Sequence, residues 1–193
     1  MARIVLVTGG GRSGKSSYGQ RLAEAHPEPR LLIATTVPFD EELKERVERH
    51  RRSRARRAWS TIEEPVDLAG AMAGSAGFAV VLVDCLTMWV SNLMWIATAR
   101  VAGGGYTEEQ VAKKCEDLLA ACRALEATVI LVTNEVGLGI IPDNPQARLF
   151  RDLLGRCNQI IAADADAVIF MISGLPLQLK GSANLDPIPE DQQ

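Results

Sequence analysis

Residues 8–17 read TGGGRSGKSS and directly follow the apolar run Ile4-Val5-Leu6-Val7. The spacing from Gly9 to Gly14, Lys15 and Ser16 fits the phosphate-loop pattern G-x-x-x-x-G-K-[ST] without a mismatch. Glycines let successive N–H groups turn inward around a polyphosphate. The Lys15 ammonium can then reach the β and γ oxygens, and the Ser16 hydroxyl can ligate Mg²⁺. A helix beginning near Lys15 adds its positive end to the same place. A plain glycine-rich turn between a strand and a helix is the alternative. The apolar strand before the loop and the helix-compatible run SSYGQRLAEAH after it supply the context that a phosphate loop requires. The expected ligand is a nucleoside triphosphate, and the motif alone leaves the reaction open.

Working outward, runs rich in valine, isoleucine and leucine occur at 3–8, 31–35, 79–84, 128–133 and 167–173, separated by segments long enough for helices. Near-continuous apolar strands alternating with helices predict an α/β fold with a mostly parallel sheet covered on both faces. Ligands of such sheets bind beyond the carboxyl ends of the strands. Gly9 to Ser16, Thr35-Thr36, Asp84 and Asn134-Glu135 are therefore expected to converge on one edge.

With 193 residues, 47% of them hydrophobic, the chain is expected to form one domain over 1–181. The last segment, SANLDPIPEDQQ, carries prolines and acids without an apolar period, so 182–193 is expected to be a disordered tail. Acidic residues number 24 and basic ones 21, which argues against a nucleic-acid binder held by overall charge. Cys85, Cys115, Cys122 and Cys157 form no C-x-x-C pair and have only two histidines to accompany them. They read as reduced residues of a cytoplasmic protein rather than as a zinc site. The chain enters a strand at once, leaving no room for a signal peptide. The stretch LTMWVSNLMWIATA is too short to span a membrane and contains Ser91 and Asn92, so a buried or subunit-facing helix is expected.

Asp84 closes the run FAVVLVD and is placed like the acid that holds Mg²⁺ through water opposite a phosphate loop. A helix-capping aspartate is the alternative. Cys85 follows, not glutamate, and the comparable strand end TNEVG lacks the guanine-reading N-K-x-D motif. Both features point away from a motor or a regulatory switch. In FDEELKERVERHRRSRARRAW, residues 39–59, Leu43, Val47, His50 and Arg54 fall within about 60° of one another on a helix. His50 thus continues the inward stripe, as either a packed histidine or a nucleophile. Arg51, Arg52, Arg54, Arg56 and Arg57 follow it, and arginines suit phosphate oxygens. A neutral imidazole beside them could attack phosphorus.

Taken together, TGGGRSGKS, IATT, the pair His50-Arg51, WSTIEEP at 59–65, VDCLTMWVSNL, TNEVGLGIIP and GRCNQIIAADAD resemble one family. It is the bifunctional adenosylcobinamide kinase / adenosylcobinamide-phosphate guanylyltransferase family of cobalamin biosynthesis, and the resemblance spans about residues 3–181. It implies a phosphate-loop NTPase-like, RecA-like fold and a bifunctional enzyme of the cytoplasm. The implied kinase step passes the γ-phosphoryl group of ATP or GTP to the hydroxyl of adenosylcobinamide. The implied second step forms a GMP-histidine intermediate from GTP and delivers GMP to adenosylcobinamide phosphate. The intermediate maps onto His50, with Lys15 as the other catalytic residue. Nucleotide contacts map onto Gly9, Gly10, Gly11, Arg12, Ser13, Gly14, Lys15, Ser16, Ala34, Thr35, Thr36, Arg51, Arg52, Ser53, Arg54, Glu63 and Asp84. Ser16 and Asp84 are the expected Mg²⁺ contacts, and a homo-oligomer, a trimer, is implied. The expected partners include neither nucleic acid nor a membrane span.

Two alternatives remain on the residues alone. One is a phosphate-loop kinase of another small hydroxyl substrate, in which His50 only packs. The other is a nucleotide-gated nucleic-acid-binding module that uses residues 51–57.

Overall fold

The computed structural model describes residues 2–37, 59–100 and 106–181. The His50 and arginine segment and the tail expected at 182–193 lie outside the described residues. Within them the chain runs β1 (Arg3–Gly9), α1 (Lys15–Glu24), β2 (Arg30–Ala34), β3 (Trp59–Glu63), α2 (Leu68–Ala73), β4 (Val80–Asp84), α3 (Leu86–Arg100), α4 (Glu108–Arg123), β5 (Thr128–Val132), α5 (Pro145–Asp164), β6 (Ala167–Ile172) and β7 (Leu175–Lys180). The strands form one sheet in the order β3-β2-β4-β5-β1-β6-β7. Six are parallel, and β7 returns antiparallel on β6.

Every strand expected from the apolar runs is present. The edge strands β3 and β7 are additional. In β3 all residues but Trp59 are exposed, and β7 has one partner, contains Pro176 and buries none of its residues. Neither carries the buried apolar run that marks an interior strand, and proline is tolerated on an edge.

The central strands read as unbroken apolar runs because both of their faces are covered. Val5, Val7, Leu32, Leu82 and Ile130 face α1 through Tyr18, Leu22 and Ala23. Ile4, Leu6, Val81, Val83, Val129 and Leu131 form the other face and pack under α2, α3, α4 and α5. Gly19 lets α1 approach closely, since a Cβ there would stand 3.1 Å from Val132 Cγ2 and 3.3 Å from Leu82 Cδ1. In α3, Leu86, Trp89, Val90 and Leu93 are buried whereas Trp95 is 77% exposed.

Local signals start the helices. Thr107 and Gln110 form a reciprocal capping box at α4, and Asn144 caps α5 with Pro145 in its first turn. At the amino ends of the strands, Arg123 donates to Asp166 Oδ2 at 2.7 Å and to Ala2 O at 2.9 Å, while Ile4 N–H donates to the same carboxylate at 2.7 Å. Partial burial raises the Asp166 carboxyl, but the Arg123 and Ile4 hydrogen bonds and nearby arginine charges outweigh it and hold the group below its ordinary value.

Candidate active site

The parallel registers set Gly9, Ala34, Asp84 and Val132 at the same end of the sheet, so the loops that follow them meet there. The loop 9–14 leaves β1 under tight constraint. Gly9 has φ +147°, and a Cβ on it would lie 2.4 Å from Met171 O, closer than any side chain can stand. Gly14 caps α1 without a side-chain bond, leaving the first N–H groups of the helix directed at the loop. Lys15 is buried, and its Nζ donates to Gly10 O at 2.6 Å, which folds the ammonium back over the loop. The turn between β6 and β7 braces the outside, Gly174 N–H donating to Ser13 O at 3.1 Å. Ser13 Oγ is buried without a hydrogen-bond partner.

Opposite the loop, Ser16 Oγ donates to Asp84 Oδ1 at 3.3 Å. Two hard oxygen donors thus stand side by side where a nucleotide's phosphates would lie, the ligand type that Mg²⁺ takes. Among the described residues no cluster of three or more His, Cys, Asp or Glu could hold a metal ion. The donor set fits a magnesium held by nucleotide phosphates and a few protein oxygens rather than by a protein cage.

Thr35 is fully buried and ties β2 to β4. Its N–H reaches Asp84 O, its hydroxyl donates to Cys85 O at 2.7 Å, and the same oxygen accepts Cys85 N–H at 2.8 Å. Burial and the Asp84 charge push the Cys85 thiol up to about 11, so it stays neutral beside the acid. Asn92 was absent from the sequence-level candidates, yet its Nδ2 donates to Thr35 O at 2.9 Å and Pro65 O at 3.0 Å. It pins the exits of β2 and β3, and only its polarity within an apolar helix hinted at such a task. Glu64 accepts Val66 and Asp67 N–H groups at 2.8 and 2.7 Å, so it shapes the turn into α2, whereas Glu63 ends the exposed edge strand.

The exit of β5 is held equally firmly. Thr133 Oγ1 donates to Asn158 Oδ1 at 2.8 Å, Asn158 Nδ2 donates to Asn134 O at 2.9 Å, and Asn134 N–H donates to Thr87 Oγ1 at 2.7 Å. Glu135 N–H then reaches Gly9 O at 2.9 Å. The structure therefore gathers Gly9 to Ser16, Thr35, Asp84 and Asn134-Glu135 on one edge, as the strand order requires. His50, Arg51, Arg52, Ser53 and Arg54 lie outside the described residues.

The model of the cobinamide kinase / cobinamide phosphate guanyltransferase family matches residues 5–179. The chain belongs to this family. The bifunctional adenosylcobalamin biosynthesis protein CobU of Salmonella typhimurium is 38% identical over 187 residues, covering 92% of this chain and 99% of the relative. CobU of Escherichia coli is 37% identical with the same coverage. The corresponding protein CobP of Pseudomonas aeruginosa is 37% identical over 91% of this chain and 96% of its own. Among solved structures, a DnaB-like replicative helicase superposes with TM-score 0.52 at 12% identity, and a type III secretion ATPase with 0.53 at 14%. Each match covers 87% of this chain, which spans about half the length of those two proteins, 46% and 50%. At such identity they show the fold alone, a RecA-like phosphate-loop NTPase core. No helix among the described residues is long and apolar enough to cross a membrane.

Proposed function

We propose that this chain carries out both reactions of its family: it phosphorylates adenosylcobinamide with ATP or GTP, then transfers GMP from GTP to adenosylcobinamide phosphate. The observation that carries this is the Gly9–Ser16 loop opposite Asp84 in a chain whose match to the family runs from residue 5 to 179. Gly9 to Ser16 cradle the triphosphate, and Lys15 neutralises its β and γ oxygens. Ser16 and Asp84 hold Mg²⁺, which when bound shares that neutralisation. Ala34, Thr35, Thr36 and Glu63 make the remaining nucleotide contacts on this side.

Phosphoryl transfer gives His50 no role, since the loop-bound groups suffice for positioning and charge. Nucleotidyl transfer needs a nucleophile at the α-phosphorus, and His50 supplies it. Its imidazole nitrogen forms a bond to that phosphorus as the bond to the β-phosphate oxygen breaks and pyrophosphate leaves. Arg51, Arg52, Ser53 and Arg54 bind the phosphates of this state. The phosphate oxygen of the acceptor then displaces the imidazole and takes GMP.

Residues 1–181 act as one domain, with 182–193 as a tail outside it. The protein works in the cytoplasm, where free thiols such as its four cysteines persist. It forms a homo-oligomer, a trimer as in the family resemblance. Support comes from the exposed apolar row Ile172, Leu175 and Leu177 on the outer strands, with Ile140 and Ile141 exposed in the loop before α5. Nucleic acid is not a partner, in keeping with a net charge of −3.

GTP labelled at either the α or the γ phosphorus tests the assignment. Protein-bound label from the α position and none from the γ position is the expected result. Transfer of the γ label to the acceptor, with the α label neither bound to protein nor passed to the acceptor, would leave a kinase alone.

A further inference from the structure

A cavity of about 760 Å³ runs between α5 and the β1–β6–β7 face of the sheet. Its floor is apolar, made by Leu6, Val168 and Phe170, and its helical wall presents Gly155 and Gln159 beside the charged Arg151, Asp152 and Arg156. One end opens at Thr8 and Glu135, both joined to the phosphate loop: Thr8 precedes Gly9 in the chain, and Glu135 N–H donates to Gly9 O at 2.9 Å. Thr8 is 8% exposed, and its hydroxyl oxygen is buried with no hydrogen-bond partner. A buried hydroxyl left unpaired is unfavourable, and Thr8 is one of the residues that line this end of the cavity. Glu135 Oε1 accepts Gly137 N–H at 2.7 Å, and no cation among the described residues pairs with the carboxylate. The clamp of Asn158 on Thr133 and Asn134 fixes the backbone that carries it.

We propose that this cavity is the acceptor site and that Glu135 is the catalytic base of the kinase step. The proposal rests on the functional reading above. The acceptor is a flat, amide-rimmed macrocycle bearing a hydroxyl-ended arm. Its apolar face suits Leu6, Val168 and Phe170, its amides suit Gln159, and its arm reaches towards the phosphate loop. As the hydroxyl oxygen bonds to the γ-phosphorus, its proton passes to the Glu135 carboxylate. The bond from γ-phosphorus to the β-phosphate oxygen breaks, the electron pair leaves on the nucleoside diphosphate, and Glu135 later returns the proton to water. Positioned carboxylates of this kind contribute roughly 10²–10⁴-fold. The guanylyl step differs, because its acceptor is a phosphate already ionised and has no proton to lose.

Two variants test this. Glu135→Gln keeps size and hydrogen bonding, and should lower kinase kcat about 100-fold or more while leaving acceptor KM and guanylyl transfer within a few-fold. Gly155→Phe places a ring in the cavity from a helical position where a Cβ meets nothing within 4 Å, so the fold should hold. It should raise the KM of adenosylcobinamide and of its phosphate at least tenfold, with GMP-adduct formation from GTP alone unchanged. Full kinase turnover in Glu135→Gln, or equal losses in both reactions, would overturn the base. An unchanged acceptor KM in Gly155→Phe would overturn the acceptor site, and an altered oligomeric state alongside it would assign the cavity to a second copy. A wild-type protein that neither forms the adduct nor transfers phosphate would sink the functional reading instead.

Discussion

Ser16 and Asp84, 68 positions apart in the chain, meet where the Ser16 hydroxyl donates to Asp84 Oδ1 at 3.3 Å. One lies in the first turn of α1 and the other ends β4, two strands away from β1 in the sheet. Their meeting depends on β5 lying between β4 and β1, with all three strands parallel and in matched register. The pair is the joint at which the phosphate loop meets the acidic strand end.

Asp84→Asn keeps the shape of that joint and removes its charge. The Mg²⁺ concentration needed for half-maximal kinase activity should rise by roughly 10–100-fold, the range for losing a group that orients a metal's ligands. Circular dichroism should be unaltered. Kinase rates titrated with Mg²⁺ provide the check, and an unshifted curve would return Asp84 to a structural role.

Lys15→Ala removes the buried ammonium that lies over the loop. Phosphate transfer to adenosylcobinamide should fall by about 10²–10³-fold, the usual cost of losing a group that stabilises developing charge. The fold should persist, because Lys15 contributes no apolar packing to either core cluster. Near-normal turnover in a folded variant would sink the assignment.

His50→Ala separates the two reactions. Incubated with GTP and Mg²⁺, wild-type protein should gain one GMP through an acid-labile phosphoramidate, visible by intact-protein mass spectrometry. The variant should gain none and lose guanylyl transfer while keeping much of its kinase activity. Persistence of the adduct in the variant, or its mapping to another residue, would refute the intermediate.

His26 gives a pH dependence of stability. Burial first, then the charges of Arg3 and Arg30, lower its pKa from 6.5 in the folded chain. The unfolded chain therefore takes up the proton at higher pH than the folded one, and stability falls as pH drops from about 6.5 through the folded value. Melting temperatures between pH 7 and 5 should decline less in His26→Gln than in wild type. Parallel curves would show that His26 is not a source of the decline.

The phosphate loop was legible at once because its chemistry is local. Gly9, Gly14, Lys15 and Ser16 act within one turn of chain, so their spacing carries the geometry. The five inner strands were legible because burial on both faces demands unbroken apolar runs. β3 and β7 were not, since an edge strand owes its existence to the neighbour it pairs with rather than to its own pattern. Glu64, Asn92 and Asn158 were equally opaque: a sequence shows an acid or an amide but not whose N–H or C=O it meets. Those bonds join elements distant in the chain, and the partners of a buried polar group are fixed only when the sheet order brings them together. The sequence by itself determined that a phosphate-loop motif follows β1. The folded sheet alone decided that Asp84, Thr35 and Glu135 stand at the same edge as that loop, because hydrogen bonding between parallel strands, not proximity along the chain, aligns their carboxyl ends.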